Sequence, residues 1–261
     1  MIFILGGKGF VGSAFVRYCE RQGLPHTVID REEYPLCVGQ ACDLLINANG
    51  NSHKPLASRM PMDDFDASVR SVRASLLDFR FRKYVHISSC DVYPDCSSPQ
   101  TTRECEAPDP ARQSPYGFHK FLAEQCVRHA ATDWLIFRCG GFIGPGLKKN
   151  AIYDILHGGP LFLDPASELQ YLHADHAAAI IFRVLNSGVS REIFNLSGKG
   201  TVPLSEVADL VPGPIPLVPG SPCVRYEISL EKISALVDLP ETRAHVLEFV
   251  RNELIARQAR A

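Results

Sequence analysis

The sequence lacks the marks of several protein classes. Its nine cysteines form no Cys-x-x-Cys pair and, with the histidines, no group at zinc-ligand spacing, so no metal site is predicted. Their odd number indicates reduced thiols and favours a cytoplasmic location. No apolar run approaches a membrane span and no signal-peptide pattern opens the chain, so no membrane partner is expected. A net charge of −2 argues against nucleic acid as a partner.

A glycine-rich turn near the start of the chain is the most informative motif. An apolar segment at 1–5 leads into Gly6, Gly9 and Gly12, and a helix-like stretch follows. Glycines at this spacing allow a tight turn, close approach to phosphates, and close packing of helix on strand. The acidic residue Asp30 ends the next apolar run about twenty residues on. Together these features predict a dinucleotide site.

Strand-like and helix-like segments alternate through the first 140 residues or so. This alternation predicts an α/β fold with a Rossmann-type doubly wound parallel sheet. Only about a dozen residues separate Asp30 from Asp43, so one crossover is expected to be missing or very short. The predicted strands are 1–5, 26–30, 43–48, 83–88 and 134–138, and the predicted helices are 10–22, 63–79 and 116–130.

The pattern changes after residue 140, where glycine and proline interrupt shorter segments. We expect residues 1–140 to form the NAD(P)-binding Rossmann core, with late contributions from about 171–197. Residues 141–261 are expected to form mainly a small C-terminal substrate-binding lobe.

Three side chains form a candidate catalytic group. Tyr116 and Lys120 are four residues apart on a predicted helix and therefore share one face. An ammonium beside a phenol favours the phenolate, so we expect Lys120 to lower the pKa of Tyr116. Ser89 follows a predicted strand and could polarise an oxygen at the same place. This group predicts proton transfer at a hydroxyl or carbonyl.

These motifs, in this order, resemble the extended branch of the short-chain dehydrogenase/reductase superfamily, the NAD-dependent epimerase/dehydratase family. The resemblance covers nearly the whole chain. It rests on Gly6-x-x-Gly9-x-x-Gly12, Ser89 before Val92-Tyr93, Tyr116-x-x-x-Lys120, Arg138 to Gly146, Tyr171-Leu-His173-Ala-Asp175 and Phe194-Asn195-Leu196.

The resemblance implies a role for each matching residue. Tyr116 would be the general acid and base, Lys120 would bind the nicotinamide ribose, and Ser89 would bind the reacting oxygen. Asp30 would bind the adenosine ribose and favour NAD, whereas Arg31 leaves NADP as the alternative. The other cofactor-binding residues would be Gly6, Gly9, Phe10, Val11, Gly12 and Ala48.

The resemblance also implies a sugar substrate, carried by a nucleotide. For its diphosphate, Arg225 is the best candidate, because a guanidinium binds phosphate in a bidentate manner. Asn150, with Lys148 and Lys149, is a second candidate. Ser89 would contact the sugar. A homodimer is a further expectation from the family.

The family resemblance leaves the reaction open. The leading prediction is an NAD(P)-dependent epimerase or keto-reductase. Cys90-Asp91 stands where the dehydratases carry Asp-Glu, which disfavours 4,6-dehydration, although Asp91 keeps a lyase open. Ser68 occupies a position where the family often has asparagine. A non-catalytic dinucleotide-binding regulator is the alternative from another class, and such relatives usually lose the tyrosine or the lysine.

Overall fold

A computed structural model describes residues 1–259 of the chain. Residues 260 and 261, the end of the predicted lobe, lie outside the described part. The strands are β1 Ile2–Leu5, β2 His26–Ile29, β3 Ala41–Asn47, β4 Arg80–Ser89, β5 Trp134–Cys139, β6 Gly141–Ile143, β7 Glu168–Leu169, β8 Tyr171–His173, β9 Glu192–Leu196, β10 Val202–Pro203 and β11 Arg225–Tyr226.

The helices alternate with these strands in the first half of the chain. They are α1 Phe10–Arg21, α2 Tyr34–Cys37, α3 Lys54–Arg59, α4 Pro61–Phe65, α5 Ser71–Asp78, α6 Pro115–Ala130, α7 Ala151–Leu156, α8 Ala174–Asn186, α9 Leu204–Ala208, α10 Glu231–Ser234 and α11 Thr242–Gln258. None of the helices within residues 1–259 is both long and apolar enough to cross a membrane.

Six strands form a central parallel sheet in the order β2-β1-β3-β4-β5-β9. The predicted Rossmann-type sheet is therefore confirmed. The short link after β2 contains α2, a single helical turn, and then crosses to the other side of β1. This crossover is very short, as the sequence predicted, and it leaves β2 at the edge of the sheet.

Helices cover both faces of the sheet. On one face α1 and α8 share an apolar core with β1, β4 and β5, and Arg17 of α1 donates to Asp175 of α8 at 2.9 Å. On the other face α5 and α6 pack on Phe3, Leu45 and Ile136. The carboxyl ends of the strands remain between these layers, which is where ligands bind in such sheets.

The predicted helix over 63–79 is interrupted. A π-helical turn at Asp66–Arg70 separates α4 from α5. Such turns insert an extra residue into the helical ladder and are frequent at functional sites. Here the turn includes Ser68, which is buried.

The later part of the chain builds a second apolar cluster. Short strands β10 and β11 each pair with β7, and α7, α9 and α11 pack against them. Strand β9 returns to the central sheet and α8 returns to its face. The division into a core at 1–140 and a lobe at 141–261 stays a proposal.

Candidate active site

The glycine turn links β1 to α1 by very close backbone contact. Gly6 has φ of +75°, a conformation that glycine adopts without strain. A Cβ on Gly12 would lie 2.0 Å from the Gly6 carbonyl oxygen, so only glycine fits there. Helix α1 begins at Phe10 with no acidic side chain in its first turn. Its first N–H groups, including those of Phe10 and Val11, lack helical partners and suit an anion.

Asp30 lies directly after β2 and faces this turn. Its Oδ2 is buried and has no hydrogen-bond partner within residues 1–259. Lys8 Nζ lies 3.5 Å from that oxygen and 3.0 Å from Glu33 Oε1. Arg31 is exposed. An unsatisfied buried carboxylate oxygen fits the hydroxyl groups of a ribose, and with the glycine turn it fits the adenosine half of NAD.

Ala48 lies where β3 ends, beside the glycine turn. A Cβ on Gly6 would lie 3.3 Å from the Ala48 carbonyl oxygen and 2.5 Å from Asn49 Oδ1. The following Gly50 lies against Lys120, because a Cβ there would be 2.7 Å from Nζ. Sequence reasoning named Ala48 and missed Asn49 and Gly50. The Asn-Ala-Asn-Gly run directly after a buried strand was the available signal.

Tyr116 and Lys120 lie on the first two turns of α6, which Ser114 caps by accepting from Gly117 N at 3.1 Å. Both side chains are buried, and Lys120 Nζ lies 5.7 Å from the centre of the Tyr116 ring. Within residues 1–259 no group hydrogen-bonds Nζ, so its three donors are available to a ligand.

Helix α6 is held against the end of β4 by a glycine. A Cβ on Gly117 would lie 2.0 Å from the Asp91 carbonyl oxygen. The absence of a side chain at this position lets Tyr116 approach the turn that carries Ser89. The structure thus brings together Ser89, Tyr116 and Lys120, three residues that the sequence predicted as one group.

The protein alone does not lower the pKa of Tyr116, contrary to our expectation. Burial is the largest cause of a raised pKa, and the negative charge of Asp91 adds to it, while the Ser89 hydroxyl opposes both. Burial also lowers the pKa of Lys120, and the charge of Asp64 is the largest influence in the other direction. The expectation failed because helical spacing gives the distance between two groups and omits their desolvation.

Asp91 is the centre of a polar cluster beside the Ser89 hydroxyl. Its carboxylate accepts from Ser89 Oγ at 2.8 Å, from Lys54 Nζ at 2.7 Å and from the Tyr226 hydroxyl at 2.9 Å. Neither Lys54, which lies 37 residues from Asp91 in sequence, nor Tyr226 could be inferred as a partner from the sequence. A hydrogen bond with Cys96, together with burial, holds the pKa of the Cys90 thiol well above its usual range.

The structure does not bring Arg225 to the catalytic group. Its guanidinium donates to Glu168 at 2.6 Å and to Glu227 at 2.6 Å. Successive strand residues face opposite sides, so Tyr226 points to Asp91 while Arg225 points away. Two carboxylates already neutralise Arg225 and would repel a diphosphate.

Asn150 is likewise occupied within its own loop. Its Oδ1 accepts from Tyr153 N at 2.9 Å and caps α7, while its Nδ2 donates to the Phe142 carbonyl at 2.9 Å. Lys148 and Lys149 are exposed. No contact of the described residues joins this loop to Ser89 or Tyr116, and the diphosphate roles of Asn150 and Arg225 stay predictions.

Comparisons with known proteins agree with this geometry. Residues 2–197 match the signature of the NAD dependent epimerase/dehydratase family. The chain is 26% identical to a dTDP-glucose 4,6-dehydratase of Streptomyces niveus, over 80% of this chain and 76% of that protein.

Solved structures share the fold at lower identity. A UDP-galactose 4-epimerase superposes with a TM-score of 0.81 at 20% identity, covering 98% of this chain and 99% of that one. A dTDP-glucose 4,6-dehydratase from Bacillus anthracis, solved with NAD, superposes with a TM-score of 0.72 at 18% identity, covering 96% and 95%.

Proposed function

Because this chain belongs to the NAD-dependent epimerase/dehydratase family, whose cofactor is NAD, we propose that it is an epimerase or keto-reductase acting on a nucleotide-linked sugar. The observation that carries this proposal is the meeting of Ser89, Tyr116 and Lys120 at the ends of β4 and α6. This group can move a proton at a hydroxyl or ketone, and the glycine turn and Asp30 can hold the dinucleotide beside it.

The glycine turn and Asp30 would hold the dinucleotide, which would supply a hydride acceptor for a sugar carbon in its oxidised form and a hydride donor in its reduced form. Tyr116 would take the hydroxyl proton when the alcohol becomes a ketone and give it back when the ketone is reduced. Ser89 would turn its hydroxyl from Asp91 to the reacting oxygen and fix its position. Lys120 would donate to the nicotinamide ribose and place positive charge beside the phenol.

The contacts of Asp91 favour an epimerase or reductase, which needs hydride transfer alone, over a lyase, which also needs an elimination step. A lyase needs a further acid or base that reaches the sugar, and Asp91 is held by Ser89, Lys54 and Tyr226. Cys90, whose thiol pKa is raised, is a poor proton donor in place of a carboxylic acid. One observation supports a lyase as second candidate, namely the 2.8 Å contact that puts a carboxylate beside the catalytic hydroxyl.

The proposal is tested with purified protein, NAD(H) and NADP(H), and a panel of nucleotide sugars and nucleotide 4-keto sugars. An epimerase inverts a hydroxyl without net change in cofactor absorbance, and a reductase consumes added NADH or NADPH. A 4,6-dehydrated or decarboxylated product would establish the lyase instead. Absence of turnover with every sugar would contradict the proposal.

Tyr116→Phe is the critical variant. It should keep NAD affinity within about twofold and lower turnover by about 10²- to 10⁴-fold, the usual contribution of a positioned acid or base. Tyr153→Phe is the matched control, because Tyr153 of α7 stacks on His157, the residue that follows this helix. Turnover by Tyr116→Phe at the wild-type rate would exclude the assigned role.

A further inference from the structure

A buried carboxylate lies behind the catalytic helix and has no place in the mechanism above. Asp64 of α4 is fully buried. Its Oδ2 lies 2.6 Å from His119 Nδ1, and its Oδ1 accepts from Asn51 Nδ2 at 2.7 Å. His119 directly precedes Lys120 on α6, and its ring meets Phe65 edge to face.

Contacts lead from Asp64 to the Lys120 ammonium. The Ser68 hydroxyl donates to Asp64 Oδ1 at 3.4 Å and accepts from Asn51 N at the same distance. Gly50, next to Asn51, lies against Nζ, since a Cβ there would be 2.7 Å from Nζ and 3.8 Å from Ser68 Oγ. Asp64 therefore fixes both segments that form the wall around Nζ, the turn at 50–51 and the π-helical turn.

The other ionisable groups near Lys120 come from every element around it. They are Tyr116 and Glu124 of α6, Asp91 after β4, Cys139 of β5 and His86 of β4. Glu124 is paired with Arg138 at 2.8 Å, and Asp91 with Lys54 at 2.7 Å. Asp64 forms no ion pair with a lysine or arginine within residues 1–259. Among the three carboxylates near Lys120, Asp64 is thus the one whose negative charge is not already neutralised by a lysine or arginine.

We propose that Asp64 is a positioning residue that keeps the Lys120 ammonium protonated and holds Nζ toward the cofactor ribose through Asn51 and Ser68. The inference rests on the proposed role of Lys120 and adds a residue to it. Ser68 stands where relatives often carry asparagine, and in this chain its hydroxyl joins the buried carboxylate to the wall of the lysine pocket.

The test is the titration of Lys120 in protein labelled with ¹⁵N at lysine Nζ, with the signal assigned by its loss in Lys120→Arg. Asp64→Asn keeps the size of the side chain and removes its charge. The Lys120 midpoint should fall by about one pH unit or more, because the charge of Asp64 is the largest influence that raises the Lys120 pKa, and a buried carboxylate near an ammonium stabilises it by that order. Asp63→Asn, on the same helix but exposed, should leave the midpoint within about 0.3 unit.

An unchanged Lys120 midpoint in folded Asp64→Asn would overturn the inference. If that variant does not fold, Asp91→Asn decides, since the proposal requires the midpoint to fall by less than about half a unit there, because Lys54 already neutralises the Asp91 charge. A fall of about one unit in Asp91→Asn would assign the charge to Asp91 instead. The titration needs no sugar, so its outcome is separate from the turnover assays that test the proposed function.

Discussion

At the scale of single residues, we expect Asp30 and the groups beside it to select the cofactor. Asp30 presents a buried, unsatisfied oxygen at the end of β2, and Lys8 lies 3.5 Å from it. A carboxylate here accepts from both hydroxyls of a ribose and repels a 2′-phosphate. The contact of Lys8 with Asp30 could not be predicted from the sequence. The direction of a lysine side chain within a glycine turn is known only when the positions of β2 and α2 are known.

Asp30→Asn should weaken NAD binding by about 10- to 100-fold, since charge-assisted hydrogen bonds contribute about 1.5–3 kcal/mol each. The same change should strengthen NADP binding, because it removes the carboxylate charge that repels the 2′-phosphate. Isothermal titration with both cofactors measures the two effects. Glu33→Gln is the matched control, as it removes a neighbouring charge that also contacts Lys8. Equal NAD affinities for Asp30→Asn and wild type would contradict the assignment.

At the scale of elements, the site depends on how closely α6 lies to the turn after β4. That approach is set by Gly117, where any side chain would strike the Asp91 carbonyl. Glycine lowers helix stability by about 1 kcal/mol relative to alanine, so its presence inside α6 indicates a packing requirement.

Gly117→Ala should therefore push α6 away from Ser89 and reduce turnover by at least about tenfold, although alanine favours a helix. Overpacking of this kind typically costs about 1–3 kcal/mol of stability. Gly159→Ala is the control, since a Cβ there would meet only ordinary contacts of 3.6 Å or more. Turnover and chemical denaturation of both variants give the comparison. Wild-type turnover in Gly117→Ala would show that the site tolerates a larger distance between α6 and the turn after β4.

Most elements of the fold could be predicted from sequence, because strand and helix periodicities and the glycine turn are local signals. The group of Ser89, Tyr116 and Lys120 could be predicted from motif order. The ion pairs of Arg225 could not be predicted, because the direction in which each residue of a two-residue strand points is known only once Tyr226 contacts Asp91. Asp64 and Lys54 could not be found, since their partners lie 55 and 37 residues away.

At the scale of the whole molecule, the free energy of unfolding depends on pH through thiols and phenols that are buried throughout the sheet layers. Burial raises the pKa of Cys19 to about 11, of Cys42 to about 11 and of Cys139 to about 12. Burial also raises the pKa of Tyr84 and of Tyr171. The unfolded chain would ionise these groups at about pH 8.5 and 10 respectively, below their folded values.

The contribution of these groups to stability should therefore be fully present below about pH 8.5. It should be lost as the pH rises toward about 11, because the unfolded state then binds fewer protons than the folded state. Each such thiol contributes a slope of up to about 1.4 kcal/mol per pH unit. Urea unfolding between pH 7.5 and 10.5 measures it. Cys19→Ala should flatten the slope, whereas Cys223→Ala, at an exposed thiol, should not. Equal slopes in both variants would contradict this account.

The expected homodimer stays a proposal at this scale. Met62, Leu77 and Phe118 are exposed apolar side chains on α4, α5 and α6, the helices beside the sheet face that carries the catalytic helix. A second copy of the chain would cover such side chains.

The very short crossover after β2 has a consequence for the energetics of cofactor loading. Strand β2 has four residues and no strand beyond it within residues 1–259. Edge segments of this kind open locally at low free-energy cost, and their amides exchange with solvent first. Asp30 follows that strand, so an adenosine ribose bound at Asp30, as proposed, would order one edge of the sheet. We therefore expect this ordering to lower the observed affinity for the dinucleotide, and we expect bound dinucleotide to slow amide exchange in the edge strand.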